Sequence, residues 1–263
     1  MNASQPVPQQ VNILDVDIDN ITWPDLLDQL KDGGIVFTPN VDHIVKLQKD
    51  PEFFQAYKAA TYRLCDSKVL LLASHFLGTP ICEKISGSDL FPAFYSHYAE
   101  DDDVTIFLLG AAEGVAEEAR KCINQKVGRN MVVQAYSPSY GFEKNEQECE
   151  EIIKRINDSK ATVLAVGVGA PKQEKWIYKY RDRFEYAKLI MAIGATIDFE
   201  ARKVARAPKW ASEMGIEWVF RILREPRRLW RRYLIDDIPF LGMVIKQKWF
   251  SGSRGQAAVK LDP

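Results

Sequence analysis

The sequence predicts an α/β fold, a Rossmann-like and mostly parallel sheet with helices on both faces, followed by a basic helical appendage. Short apolar runs end in Gly or Pro, as strands buried on both faces do. Longer segments of helical period separate them, the alternation that builds parallel sheets. After about residue 200 the composition turns aromatic and Arg-rich. This divides the chain into an α/β domain over 1–200 and an Arg-rich helical appendage over 201–263.

Residues 11–16 (VNILDV) read as an edge strand, followed by a helix capped at Thr22 with Pro24 in its first turn. The run 33–39 (GGIVFTP) is a buried strand, and apolar residues at i, i+3 and i+4 predict one helix over 41–60. Three further strands are 104–110 (VTIFLLG), 162–167 (TVLAVG) and 188–194 (KLIMAIG). The stretch 145–160 begins with acids and ends with bases, the order that complements a helix dipole, and reads as a structural helix.

With 46% hydrophobic and 27% charged residues among 263, there is apolar material for a large soluble core. The formal net charge of -1 excludes a global field that would mark a nucleic-acid binder. Residues from 201 onward nevertheless hold 14 basic and 6 acidic side chains, so a basic tail follows an acidic body. An anionic partner for the tail is expected. The four cysteines have neither C-x-x-C spacing nor a nearby His at ligand distance, so no disulfide framework or zinc site is indicated and a reducing, cytoplasmic compartment fits. No signal peptide or spanning helix is read, so membrane contact is expected to be peripheral.

Several strand ends carry candidate chemistry. GVGAP at 167–171, with Lys172, Gln173 and Glu174 behind it, offers a strand-to-helix turn where backbone N–H groups approach a phosphate, although Gly-x-Gly is equally a tight turn. Thr38 and Asn40 close another strand, at the edge where open parallel sheets bind ligands; Asn40 is also a ready helix cap. Asp66, in RLCDS at 63–67, is a candidate general base or, by spacing alone, a helix cap. The acidic run 101–103 precedes its strand, at the end opposite the expected crevice, and is set aside as a metal-holding motif. His43, His75 and His97 share no ligand spacing and read as packing or surface residues.

Between 201 and 232 the chain holds 10 basic and 3 acidic residues. Projected at 100° per residue, Arg221, Arg224, Arg228 and Arg231 form one stripe and Ile216, Val219, Leu223, Trp230 and Leu234 the opposite one, with Pro226 interrupting the projection. Such a segment suits an anionic membrane surface, and its arginines suit a diphosphate. Docking on the body, or on a second copy of the chain as a homo-oligomer, is the alternative use of its apolar face.

Taken in order, TPN at 38–40, QKDPE at 48–52, Asp66, GSDL at 87–90, GVGAPKQE at 167–174, GATIDF at 194–199, RAP at 206–208, GIEW at 215–218 and EPRRLWRRY at 225–233 resemble one family. It is the WecG/TagA/CpsF bacterial glycosyltransferases, typified by N-acetylmannosamine transferases of wall teichoic acid and enterobacterial common antigen synthesis. The resemblance spans about 34–241. It implies metal-independent, inverting transfer of a hexose-type sugar (ManNAc, ManNAcA or Glc-like) from a UDP-sugar to a polyprenyl-diphosphate-linked sugar at the inner membrane face, with no cofactor.

By the same resemblance Asp66 is the catalytic base. Substrate contacts are expected from Thr38, Asn40, Lys84, Ser88, Asp89, Gly110, Gly167, Gly169, Ala170, Pro171, Gln173, Gly194 and Asp198. Arg206, Arg221, Arg224, Arg228 and Arg231 are expected to meet the lipid diphosphate. Three departures from the family pattern stand out: Ser67 where Gly usually follows the Asp, Lys84 where Arg is common, and Arg202 where Gly or Lys is usual. An NAD-dependent oxidoreductase is disfavoured because the third glycine of the dinucleotide fingerprint and a following ribose-binding acid are missing. A nucleic-acid-binding protein would need a base-reading surface on the body, which the sequence does not offer.

Overall fold

The computed structural model describes residues 9–203 and 238–255. Six strands, β3 (Gly34–Phe37), β4 (Tyr62–Arg63), β5 (Ile106–Gly110), β6 (Val132–Tyr136), β7 (Val163–Gly167) and β8 (Leu189–Ala192), form one sheet in the order β4-β3-β8-β7-β5-β6. Every neighbouring pair in it is parallel. The expected Rossmann-like α/β architecture is present.

Alternation along the strands feeds two cores. Phe107, Leu109, Leu164, Val166 and Ile190 enter one; Ile106, Leu108, Val163, Ala165 and Met191 enter the other. The first is covered by α2 (Val41–Leu47), α3 (Pro51–Ala59), α4 (Lys68–Leu77), α7 (Glu146–Ser159) and α8 (Lys172–Tyr180), and the second by α1 (Trp23–Gln29), α5 (Gly87–His97), α6 (Val115–Val127) and α9 (Thr196–Glu200). As the sequence predicts, Thr22 caps α1 with Pro24 in its first turn, and a helix, α7, occupies the 145–160 stretch, where the structure shows Asn145 as its cap.

Two local expectations are corrected. The single edge strand over 11–16 is instead an antiparallel hairpin, β1 (Gln9–Ile13) and β2 (Val16–Asn20), which forms its own two-stranded sheet. Leu14 and Asp15 make the turn at φ 52° and 62°. This is the type I′ geometry that normally selects Asn-Gly, so the usual turn signal is missing from the sequence. The predicted helix over 41–60 is two helices. Asp50 breaks it at φ -123° and caps α3 by accepting from the Phe53 N–H at 3.1 Å, with Pro51 at the new N-terminus.

Beyond 203 the described chain resumes with α10 (Ile238–Gly255), which packs on α2 and α4 and buries Phe240 and Val244 in the first core. Gln247 of α10 accepts from the Leu14 N–H at 2.9 Å and donates to the Asn12 carbonyl at 3.1 Å, tying this helix to the hairpin turn. Among the described residues no helix is long and apolar enough to cross a membrane.

Candidate active site

The carboxyl ends of the strands gather the predicted residues into two groups. The first lies beyond β3 and β4. Parallel pairing continues past both strands: the Leu64 N–H donates to the Phe37 carbonyl at 2.9 Å and the Asp66 N–H to the Pro39 carbonyl at 3.0 Å. Asp66 is thereby held beside the 38–40 turn, where Thr38 is buried and Asn40 and Asp66 are half-buried. The Ile85 N–H donates to the Cys65 carbonyl at 2.8 Å, which draws the Lys84 segment alongside.

Helix capping in this group falls to neighbours of the expected base. Asn40 caps α2, accepting from the His43 N–H at 3.1 Å. Asp66 does not cap α4. Ser67 does, its Oγ accepting from the Val69 and Leu70 N–H groups at 3.2 and 3.4 Å. Burial pushes the adjacent Cys65 thiol up to about 11, so it stays protonated and is no nucleophile.

Ser86 caps α5, and its hydroxyl also donates to Asp89 Oδ2 at 2.5 Å and lies 3.1 Å from Ser88 Oγ. Ser88 and Asp89 therefore close the first turn of α5. Gly87 brings that turn against the sheet. A Cβ there would stand 3.2 Å from Thr38 Oγ1 and 3.6 Å from the Ala192 carbonyl oxygen.

The second group lies beyond β5, β7 and β8. After β5 the chain crosses outward to β6, whereas after β7 it returns to β8, so the adjacent β5 and β7 send their connections in opposite directions. Open α/β sheets bind ligands at such a switch point. Gly110 and Gly167 are paired there, and a Cβ on Gly110 would collide with the Gly167 carbonyl. A Cβ on Gly167 would in turn stand 2.5 Å from the Gly194 carbonyl oxygen. The glycines let three strand ends close on one another.

Gln173, at the start of α8, fastens the loops behind these glycines. Its Oε1 accepts from the Gly169 N–H at 3.3 Å and the Gly194 N–H at 3.2 Å, and its Nε2 donates to Glu174 Oε1 at 2.8 Å. The Gly169 N–H, one of the backbone donors expected to meet a diphosphate, is thus given to Gln173. Ala170 and Pro171 lie half-buried in the same turn, joined by a cis peptide bond. Asp198 sits on α9, just past Gly194, and is half-buried.

Tyr57 stands between the two groups. It is buried and shares a 2.8 Å hydrogen bond with His43 Nδ1. Burial first, then the negative charges of Glu174, Asp66 and Asp42, raise its pKa well above the ordinary tyrosine value. Arg206, Arg221, Arg224, Arg228 and Arg231 lie outside the described residues. The 101–103 run is at the amino end of β5, where Asp101 pairs with Lys31 at 2.7 Å.

The sequence matches the model of the glycosyl transferase WecG/TagA/CpsF family over residues 11–254. The chain belongs to this family. It is a glycosyltransferase, similar to the N-acetylglucosaminyldiphosphoundecaprenol N-acetyl-beta-D-mannosaminyltransferase of Staphylococcus aureus strain MRSA252, with 28% identity over 91% of this chain and 93% of that protein. The protein of the same name from strain MW2 is 27% identical over the same shares.

Two departures from the family pattern have a local explanation in this glycosyltransferase. Ser67 is extended at φ -144° and supplies the cap of α4, so no glycine is needed after Asp66. Arg202 adopts φ 56° beyond α9, with its N–H donating to the Phe199 carbonyl and the Lys203 N–H to the Asp198 carbonyl, both at 3.0 Å. That pair of bonds is a Schellman motif, and Arg202 holds its glycine position. Nothing in the structure explains Lys84 in place of Arg.

Sequence reasoning missed three features of this edge. The sequence presents Glu174 only as part of a motif, although it is fully buried beside Gln173. The His43–Tyr57 pair joins positions 14 apart that spacing rules do not connect. Tyr140, in the loop after β6, is fully exposed, with Lys172 Nζ 5.1 Å from its ring centre at the rim of the switch point. An exposed aromatic in SPSYG directly after a strand is the signal that would have found it.

Proposed function

We propose that this glycosyltransferase moves a hexose-type sugar from a UDP-sugar to a polyprenyl-diphosphate-linked sugar, with inversion and without a metal ion. One observation carries the reading: Asp66 is tied by its backbone to the end of β3, outside the carboxyl edge, and is relieved of helix capping by Ser67. An acidic side chain at that place is suited to general base catalysis.

In the displacement, the acceptor hydroxyl oxygen bonds to the anomeric carbon as the bond from that carbon to the diphosphate oxygen breaks. The hydroxyl proton passes to the Asp66 carboxylate, and UDP departs with the bonding electron pair. Lys84 and the tail arginines meet its charge in place of a metal ion, because cations fixed before reaction stabilise a leaving group without reorganising. The β5/β7 switch point supports a nucleotide there, with Tyr140 and Lys172 at its rim offering an aromatic face and a cation.

The Staphylococcus aureus relatives are named for an undecaprenyl-linked acceptor, which supports a polyprenyl diphosphate acceptor and a role in cell-envelope polysaccharide synthesis. A surface feature agrees. Val69, Leu72 and Phe76 form an exposed apolar row on α4, which starts two residues after Asp66; Leu241, Ile245 and Trp249 form another on the adjoining α10. Contact with an anionic bilayer at the inner face of the membrane, made by these rows and the basic tail, would present a lipid-linked acceptor to Asp66.

The test is a screen of UDP-sugars with a short-chain diphosphate-linked N-acetylglucosamine, following glycolipid product and released UDP. One UDP-sugar is expected to give stoichiometric product of inverted anomeric configuration with chelator present. Product of retained configuration, or turnover only with an added divalent ion, overturns the reading.

A further inference from the structure

The buried carboxyl of Glu174 has no task in the displacement. It is 1% exposed, and its Oε2 is buried without a hydrogen-bond partner. A carboxyl carried into the interior at the cost of desolvation calls for a reason. The hydrogen bonds around it supply one. Glu174 Oε1 accepts from Gln173 Nε2, while Gln173 Oε1 accepts from two backbone N–H groups in different loops, Gly169 after β7 and Gly194 after β8.

An amide can turn over, exchanging its oxygen and nitrogen at little steric cost. If Gln173 did so, its NH2 would face two N–H donors and its oxygen would face the carboxyl oxygen. The first contact would be repulsive, and the second would be repulsive while the carboxyl is ionised. The Glu174 carboxyl and the two glycine N–H groups therefore select one orientation of the amide together, and in that orientation a single oxygen joins two loops. Among the described residues no other side chain bonds to both Gly169 and Gly194.

We propose that Glu174 is a positioning residue of this glycosyltransferase, which orients the Gln173 amide so that the loops after β7 and β8 are held at the separation a sugar nucleotide requires. The inference rests on the donor reading of those loops and extends it to a side chain that meets no substrate. Besides Gln173 on its own helix, charged groups of a neighbouring helix act on Glu174. Lys46 and Asp42 of α2 act through their charges, and Tyr57 of α3 feels the Glu174 charge in return. Burial is the first cause that pushes its pKa up, to about 7, so the carboxyl exchanges its proton near neutrality while Oε1 remains an acceptor.

The test uses the full-length chain and compares Glu174→Leu with Glu174→Gln, reading amide hydrogen exchange at Gly169 and Gly194 together with steady-state kinetics. Leu has nearly the volume of Glu but cannot accept from Gln173; Gln restores the acceptor and removes the titration. In Glu174→Leu, exchange at both glycines is expected to accelerate about tenfold, the scale set by losing one buried hydrogen bond. The donor KM should rise by a similar factor with kcat changed less. Glu174→Gln should bring both back toward the wild type and erase any step in donor KM near pH 7. Unchanged exchange in Glu174→Leu overturns the proposal, and so does faster exchange that Glu174→Gln fails to reverse. Faster, reversible exchange with an unchanged donor KM keeps the pinning role and removes the sugar nucleotide from these loops. If Glu174→Leu does not fold, Gln173→Leu, which deletes the joining oxygen and leaves Glu174 in place, must accelerate exchange at the same two glycines.

Discussion

Glu174 and Asp66 are both acidic residues in short sequence blocks, yet the structure buries the first and leaves the second half-buried. Glu174 is buried among α2, α3 and α8, and its pKa is about 7 against an ordinary 4.5. Between those values the folded protein holds a proton that the unfolded chain has released, so stability falls as pH rises through this window and is level above it. Two and a half units correspond to about 3 kcal/mol. Equilibrium denaturation between pH 4.5 and 8 should show Glu174→Gln losing less stability over this range than the wild type; parallel curves would contradict the burial argument. Nothing in the sequence distinguishes the two acids by depth. The block GVGAPKQE marks Gln173 as a substrate contact but carries no sign that its amide joins two loops, because Gly169 and Gly194 meet it only once the sheet has formed. Asp66, by contrast, reads in the sequence as either a base or a helix cap, and the structure gives the cap of α4 to Ser67 Oγ.

Among the elements, those with strong local signals emerge where the sequence puts them. The β5, β7 and β8 runs are apolar on both faces because helices cover both sides, and they need no long-range information to be read. The strand β6 (VVQAY) is short, interrupted by Gln134 and only partly buried, and two residues of β4 make a strand only by pairing with β3, so neither is evident locally. The hairpin turn is concealed for a different reason. Leu14 and Asp15 take left-handed conformations that their side chains disfavour, and hydrogen bonds between the Leu14 backbone and the side chains of Gln48 and Gln247, distant in sequence, tie the turn down. Arg202 is the same case at the end of α9. Its left-handed conformation costs a residue with a Cβ about 1–2 kcal/mol, and glycine gives back part of that through its freer unfolded chain. Arg202→Gly is expected to raise stability by less than about 1 kcal/mol in a denaturant titration. A loss of stability would mean that the Arg202 side chain makes a contact worth more than the strain.

At the scale of the whole molecule, charge and apolarity are segregated in a way the sequence already shows. Residues from 201 onward carry a surplus of 8 positive charges on a chain whose total is -1. The exposed row of α10, with Trp249 74% exposed, adjoins the row on α4 that leads away from Asp66. If both serve one surface, the protein should sediment with vesicles containing anionic phosphatidylglycerol at low salt and release progressively as ionic strength rises to several hundred millimolar, because screening shortens the reach of each cation. Neutral vesicles should retain less of it. Equal binding to both lipids at all salt concentrations would leave the apolar rows, without the basic tail, as the attachment.

The fold, the switch point and the proposed contact surface all converge on the carboxyl edge where Asp66 is held beside the end of β3. The most direct measurement is the rate of glycolipid formation by Asp66→Asn, made alongside its thermal midpoint and its affinity for the UDP-sugar. Loss of the base should lower turnover by about 10²- to 10⁴-fold, with the midpoint and the donor affinity close to those of the wild type. Turnover within a few-fold of the wild type by the folded variant would contradict the role given to Asp66 and the mechanism built on it.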